Sequence, residues 1–95
     1  MPDAKGTPSE VATMNKFFAY VLKNDKDGKY YYGSTEDVQK RLKKHNAGSV
    51  PSTKYRRPFS LHYFEEFDSK QKALEREKYF KSINGYIWLK QNKII

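Results

Sequence analysis

The run FFAYVLKNDKDGKYYYGS, Phe17 to Ser34, leaves this chain little choice but a β-hairpin. KFFAYVLKN is rich in aromatic and branched residues that suit a covered strand. DKDG then makes a turn in which Gly28 is free to take the positive φ that reverses the chain. KYYYGS is the return strand, ended by Gly33. Register decides what the tyrosines do. If Leu22 faces Tyr31, then Tyr20 and Tyr31 lie on one face of the sheet, whereas a one-residue slip or bulge puts them on opposite faces. Pattern alone leaves two readings standing: aromatics that fill a core, or phenols at an active site.

STEDVQKRLKKHNAG reads as a helix capped by Ser34 or Thr35 and ended by Asn46 or Gly48. Glu36 and Asp37 in its first turn and basic residues in its last turns suit the helix dipole. Val38 and Leu42 supply its buried stripe, and Arg41 and His45, also four apart, share a neighbouring face. AGSVPSTKYRRPF is a basic loop. FSLHYFEEF sets Phe59, Leu61 and Tyr63 against Ser60, His62 and Phe64, predicting a third strand covered at least partly on both faces. Asp68 is expected to cap a helix, SKQKALEREKYFKS, with Gln71 placed for a return contact. NGYIWLKQNKII predicts a short amphipathic helix after Gly85, packing Ile87, Trp88 and Ile94. The order β-β-α-β-α-α predicts an α+β fold, a small three-stranded antiparallel sheet flanked by helices. It would occupy residues 15–95, behind a disordered leader over 1–14.

Charge narrows the partners. Nineteen Lys and Arg stand against eleven acids, a net +8 in 95 residues, so a polyanion is the first partner to consider. Eight tyrosines, six phenylalanines and a tryptophan argue for a packed domain rather than a basic tail. The absence of cysteine excludes disulfides and thiolate metal sites and fits a cytoplasmic protein. No apolar run reaches the roughly 20 residues of a membrane span, so no membrane partner is expected.

Glu77 is the most informative position for chemistry. It lies four after Ala73 and three from Leu74 and Phe80, so it projects from the apolar stripe of its helix. A carboxylate there needs a partner. Lys81, at i,i+4, is one; a hard divalent cation in a cleft is another. Arg41 offers a fork of donors that fits a phosphate, and His45 can donate or accept a proton, although QKRLKKH also reads as an ordinary solvated basic helix. His62 alternates with core positions and reads as structural or cleft-lining. Phosphate-cradling, nucleophile-elbow and zinc motifs are absent.

In this order the pieces resemble the GIY-YIG endonuclease domain, from about Phe17 to Leu89. FAY, Phe18 to Tyr20, stands at the family's first tripeptide, keeping only its tyrosine, and YYG, Tyr31 to Gly33, matches the second. Arg41 and His45 match the family's helix, and ALERE followed by YFK matches its glutamate helix. STKYRRPFSLHYFEEF resembles the basic loop and third strand of small stand-alone bacterial members. The resemblance implies an endonuclease that hydrolyses phosphodiester bonds in DNA with one Mg²⁺ or Mn²⁺, in repair or recombination, with RNA also open as a substrate. It implies that Tyr20 or Tyr31 activates water, Arg41 holds the scissile phosphate, His45 assists proton transfer and Glu77 binds the metal. Lys43, Lys44, Lys54, Arg56 and Arg57 would contact backbone phosphates. A nucleic-acid-binding module without turnover is the competing reading. Ser34 departs from the family, which often carries lysine there.

Overall fold

The computed structural model describes residues 16–95; the leader expected over 1–14 lies outside them. Strands β1 (Phe17–Asn24) and β2 (Tyr30–Thr35) form the hairpin. Helix α1 (Val38–Asn46) follows, then a loop with a 3₁₀ turn (Lys54–Arg56), strand β3 (Phe59–Phe67) and helices α2 (Lys70–Phe80) and α3 (Ile83–Gln91). The sheet is antiparallel in the order β2-β1-β3, so β2 is an edge. This is the α+β arrangement expected from the sequence.

The hairpin register pairs Leu22 with Tyr31, Tyr20 with Gly33 and Ala19 with Ser34. Side chains alternate along a strand, so this register sorts them into two layers. Tyr20 and Leu22 are buried with Phe59, Tyr31, Leu42 and Leu61 on the face covered by α1. Ala19 and Val21 are buried with Phe80, Leu89, Tyr63, Phe67 and Trp88 on the face covered by α2 and α3. At the turn, Gly28 has φ +70°, as its role requires.

β3 serves both layers because its register slips. Val21 pairs with Tyr63 but Leu22 pairs with Leu61, leaving His62 as the extra residue of a bulge. Leu61 therefore joins the α1 layer and Tyr63 the other, although simple alternation puts them on one face. His62 is exposed, packs its ring at a tilt against Tyr30 with the ring centres 5.2 Å apart, and bonds the Ile94 carbonyl, a structural role.

Several boundaries differ from the sequence reading. Ladder pairing runs to Thr35, so Ser34 stays in the strand and Asp37 caps α1, accepting from the Lys40 amide at 3.0 Å. Ser69, not Asp68, caps α2, and Gln71 turns outward to Glu75. The inner face of α2 is Ala73 and Phe80, while Leu74 is exposed. Arg76 packs there instead, held to Glu65 at 2.7 and 3.3 Å with its guanidinium 4.4 Å from the Trp88 ring centre. Gly85 lies inside α3 rather than before it. A β-carbon there would sit 2.5 Å from the Tyr79 carbonyl carbon, so only glycine admits this close approach. Ile87 is consequently turned outward and Leu89 inward.

Candidate functional site

The α1 face of the sheet gathers four of the five residues singled out for chemistry. Tyr20 comes from the middle of β1 and runs its ring across Gly33, whose missing side chain makes the room. Its phenol oxygen thereby reaches the free edge of the sheet. There it accepts from Arg41 Nε at 3.4 Å and lies 3.2 Å from His45 Nε2. Arg41 and His45, one helical turn apart on α1, both meet it because i,i+4 side chains share a face. Tyr31 is half-buried, with its ring centre 4.9 Å from that of His45.

His45 is 0% exposed, so it backs Tyr20 rather than lining an open surface. Its Nδ1 lies 2.8 Å from Thr53 Oγ1, and the Thr53 hydroxyl is directed at the Val50 carbonyl at 3.5 Å. This network assigns the proton of neutral His45 to Nδ1, donating to Thr53, and leaves Nε2 to accept from the Tyr20 hydroxyl. Burial, aided by the Arg41 charge, lowers the His45 pKa to about 4. Burial also raises the Tyr20 pKa above the ordinary phenol value; the Arg41 hydrogen bond and charge oppose this without overcoming it. Tyr20 is therefore not an acidified phenol, contrary to what a neighbouring cation alone suggests. Tyr20 in turn is the main group holding the Arg41 pKa up.

The sign of the His45 shift gives a stability prediction. Between about pH 6.5 and 4 the unfolded chain binds a proton at this site that the folded chain refuses, so stability falls as pH falls through that window. A shift from 6.5 to about 4 is expected to remove about 2 kcal/mol between pH 7 and pH 5. Urea midpoints of the wild type and His45→Gln across that range check this. The variant should lose most of the slope, and an unchanged slope would refute the buried neutral imidazole.

Glu77 approaches from the opposite layer. α2 packs on the Ala19 face, and the carboxylate meets Ser34, which pairs with Ala19 one residue before β2 ends. Ser34 Oγ donates to Glu77 Oε1 at 2.8 Å, and Lys81 Nζ lies 2.8 Å from Oε2. The side chain keeps 19% exposure, so solvent and small ions reach it. Its charge also bears on Tyr20, contributing to that phenol's raised pKa. The five residues thus meet around the edge of β2, four from one side and Glu77 from the other, rather than all on one face.

The basic residues divide by environment. Lys43 and Lys44 are exposed on α1. Lys44 and Arg41 line a cleft of about 340 Å³ with Thr35, Glu36, Asp37 and Lys40. In the loop, Lys54 is exposed, Arg56 lies over the Phe59 ring at 5.5 Å, and Arg57 donates to the Lys54 carbonyl at 2.8 Å. The loop is tied down from beneath by buried Asn24, which bonds the Arg56 carbonyl and accepts from the Lys26 and Asp27 amides. Sequence reasoning missed Thr53, Lys40 and Asn24 as supporting residues. Thr53 carries no periodic signal, because only the fold of the loop brings it to His45.

The carboxylate that a metal would use at the edge of β2 is Glu77. Among the described residues, no group of three or more His, Cys, Asp or Glu gathers as a cage. Glu77 with the Ser34 hydroxyl beside it is a small set of hard oxygens. That set fits an ion which keeps several waters and takes its remaining oxygens from a phosphate, as Mg²⁺ does.

Fold and site together define a small α+β chain with a phenol–guanidinium–imidazole cluster meeting a carboxylate at a sheet edge. Residues 16–92 match the GIY-YIG catalytic domain, and the chain belongs to that family, whose nucleases act on DNA and generally use a divalent metal. The chain is 44% identical over 72 residues to UPF0213 protein SSP2268 of Staphylococcus saprophyticus, covering 75% of this chain and 87% of the relative. It is 44% identical over 70 residues to UPF0213 protein YazA of Bacillus subtilis, covering 73% and 70%. The solution NMR structure of UPF0213 protein BH0048 from Bacillus halodurans is similar at 36% identity and a TM-score of 0.48, covering 82% of this chain and 85% of that one. No helix among the described residues is long and apolar enough to cross a membrane.

Proposed function

We propose that the chain is a divalent-metal-dependent endonuclease that hydrolyses phosphodiester bonds in DNA. The observation that carries this is the Tyr20 oxygen, held between Arg41 and His45 at the edge where Glu77 arrives. Among the described residues Arg41 has no carboxylate partner, so its terminal nitrogens serve a phosphate. Tyr20 keeps its hydrogen on the bond to neutral His45 Nε2 and accepts a hydrogen bond from the attacking water, orienting it. The water's proton passes to solvent, so that neither a phenolate nor an imidazolium forms in a site that disfavours both. The new P–O bond forms as the old one breaks, and the leaving oxygen carries the electron pair away and is protonated from solvent. Tyr31 shields His45 and helps keep Arg41 charged. Mg²⁺ or Mn²⁺ held by Glu77 would neutralise charge on the phosphate and the leaving oxygen. Lys43, Lys44, Lys54 and Arg56 supply backbone contacts that weaken steeply with salt and carry little sequence preference, and Arg57 adds charge while bracing the loop.

One observation favours a binding module without turnover: Lys81 already neutralises the Glu77 carboxylate. Nicked, branched and duplex DNA incubated with Mg²⁺ or Mn²⁺ separate the two readings. Cleavage by the wild type, reduced about 100-fold in Tyr20→Phe with DNA affinity unchanged, is the expected result. Salt-sensitive binding with no cleavage of any substrate would favour the binding module.

A further inference from the structure

The loop before β3 carries the most exposed large aromatic among the described residues. Tyr55 is 88% exposed and stands at the centre of the 3₁₀ turn Lys54–Arg56. A single exposed tyrosine needs no explanation in itself. Three features set this one apart. Cations surround it in sequence, Lys54 before and Arg56 and Arg57 after, and the Lys54 ammonium lies over the ring at 5.4 Å. The turn is braced on both sides, by Asn24 on the Arg56 carbonyl and by Arg57 on the Lys54 carbonyl. And Thr53, two residues earlier, is buried and hydrogen-bonded to His45. At 3.8 Å per residue, the Tyr55 backbone lies within about 8 Å of Thr53. The ring is thus presented to solvent from a fixed base beside the catalytic cluster.

We infer that Tyr55 is a stacking platform for an unpaired nucleobase, placed so that the chain prefers nucleic acid with a single-stranded segment next to the phosphate at Arg41. The inference rests on the nuclease reading and adds the substrate class. Aromatic rings among cations bind single strands because every base has a π-face and every phosphate a charge. Bases inside a duplex are already stacked on their neighbours and offer the ring no free face, so only the phosphate contacts remain to duplex DNA. The bracing matters because a ring on a mobile loop would lose much of the stacking gain to ordering.

The test measures binding in EDTA, so that turnover does not intervene, using a single-stranded oligonucleotide, a duplex with a single-stranded flap and a blunt duplex of equal length. Tyr55→Ala is expected to weaken single-strand and flap binding about 5- to 100-fold and blunt-duplex binding less than about 2-fold. Tyr55→Phe should bind all three as the wild type does, since the ring and not the hydroxyl stacks. Thermal midpoints should be unchanged, because the side chain is exposed. Equal weakening on all three ligands, no weakening on any, or a Phe variant as poor as the Ala variant would overturn the inference while leaving the nuclease reading intact. If the wild type binds none of the three, the nuclease reading fails and this inference falls with it.

Discussion

Glu77→Ala is expected to lower DNA cleavage at least about 1,000-fold while leaving the fold intact. Among the described residues the carboxylate is the only acid that both hydrogen-bonds Ser34 and bears on Tyr20. A metal ion at a phosphoryl centre contributes several kcal/mol to the transition state, and each 1.36 kcal/mol is about tenfold in rate. The structural loss is small by comparison. Lys81 and Glu77 form an i,i+4 pair with Lys81 half exposed, worth about 0.3–0.5 kcal/mol, and the Ser34 hydrogen bond adds about 1 kcal/mol. Activity and stability should therefore separate. Rates with Mg²⁺ and Mn²⁺ measured beside the thermal midpoint check this, with Lys81→Ala as the contrast. That variant removes the ion pair and keeps the carboxylate, so it should still cleave. Cleavage that persists in Glu77→Ala removes Glu77 as the metal ligand, whatever else the domain does.

The sequence gives Glu77 away through helical spacing, because a carboxylate three and four residues from apolar neighbours must find a partner. It does not say which partner. The open alternatives, Lys81 or a cation, rest on one carboxylate whose two oxygens face different ways, one to Ser34 and one to Lys81. Tyr20 and Tyr31 are legible for a different reason. The DKDG turn limits the registers available, and the pairing of Leu22 with Tyr31 settles the shared face. What stays illegible depends on tertiary accidents. The bulge at His62 reassigns Tyr63 to the other layer, and nothing in an alternating run announces an extra residue. Arg76 lies where Leu74 was expected because an ion pair with Glu65 and three aromatic rings satisfy a guanidinium that a sequence pattern assigns to solvent. Thr53 is silent because a loop carries no period. Burial of His45, and the direction in which Tyr20 titrates, follow from these silent neighbours more than from the motif residues themselves.

The glycine of YYG carries the second large effect. Gly33→Ala is expected to destabilise the chain by about 2–3 kcal/mol and to lower cleavage at least about 100-fold, although position 33 contributes no functional group. Position 33 faces Tyr20 across the strand pair, and an added β-carbon would lie 2.5 Å from Tyr20 Cζ and 3.0 Å from Cε2, closer still to the phenol oxygen. The ring has nowhere to go. It is nearly fully buried, with His45 at a centroid separation of 6.2 Å and Arg41 bonded to its oxygen. Relief requires the phenol to leave both partners, or β2 to lift from β1 at the edge where Ser34 receives Glu77. Either movement takes apart the hydrogen bonds that hold the Tyr20 oxygen in place. Backbone freedom is not the reason for glycine here, since among the described residues the glycines with positive φ are Gly28 and Gly48. The requirement is space, so the two tripeptides depend on one another: the tyrosine of the first lies on the glycine of the second. Chemical denaturation and cleavage rates of Gly33→Ala, set beside Tyr20→Phe, test this. If the ring is displaced, the alanine variant should be at least as inactive as Tyr20→Phe and clearly less stable. Retention of wild-type cleavage by Gly33→Ala would mean that the phenol's position over Gly33 is irrelevant to the reaction, and Tyr20 would lose its assigned role.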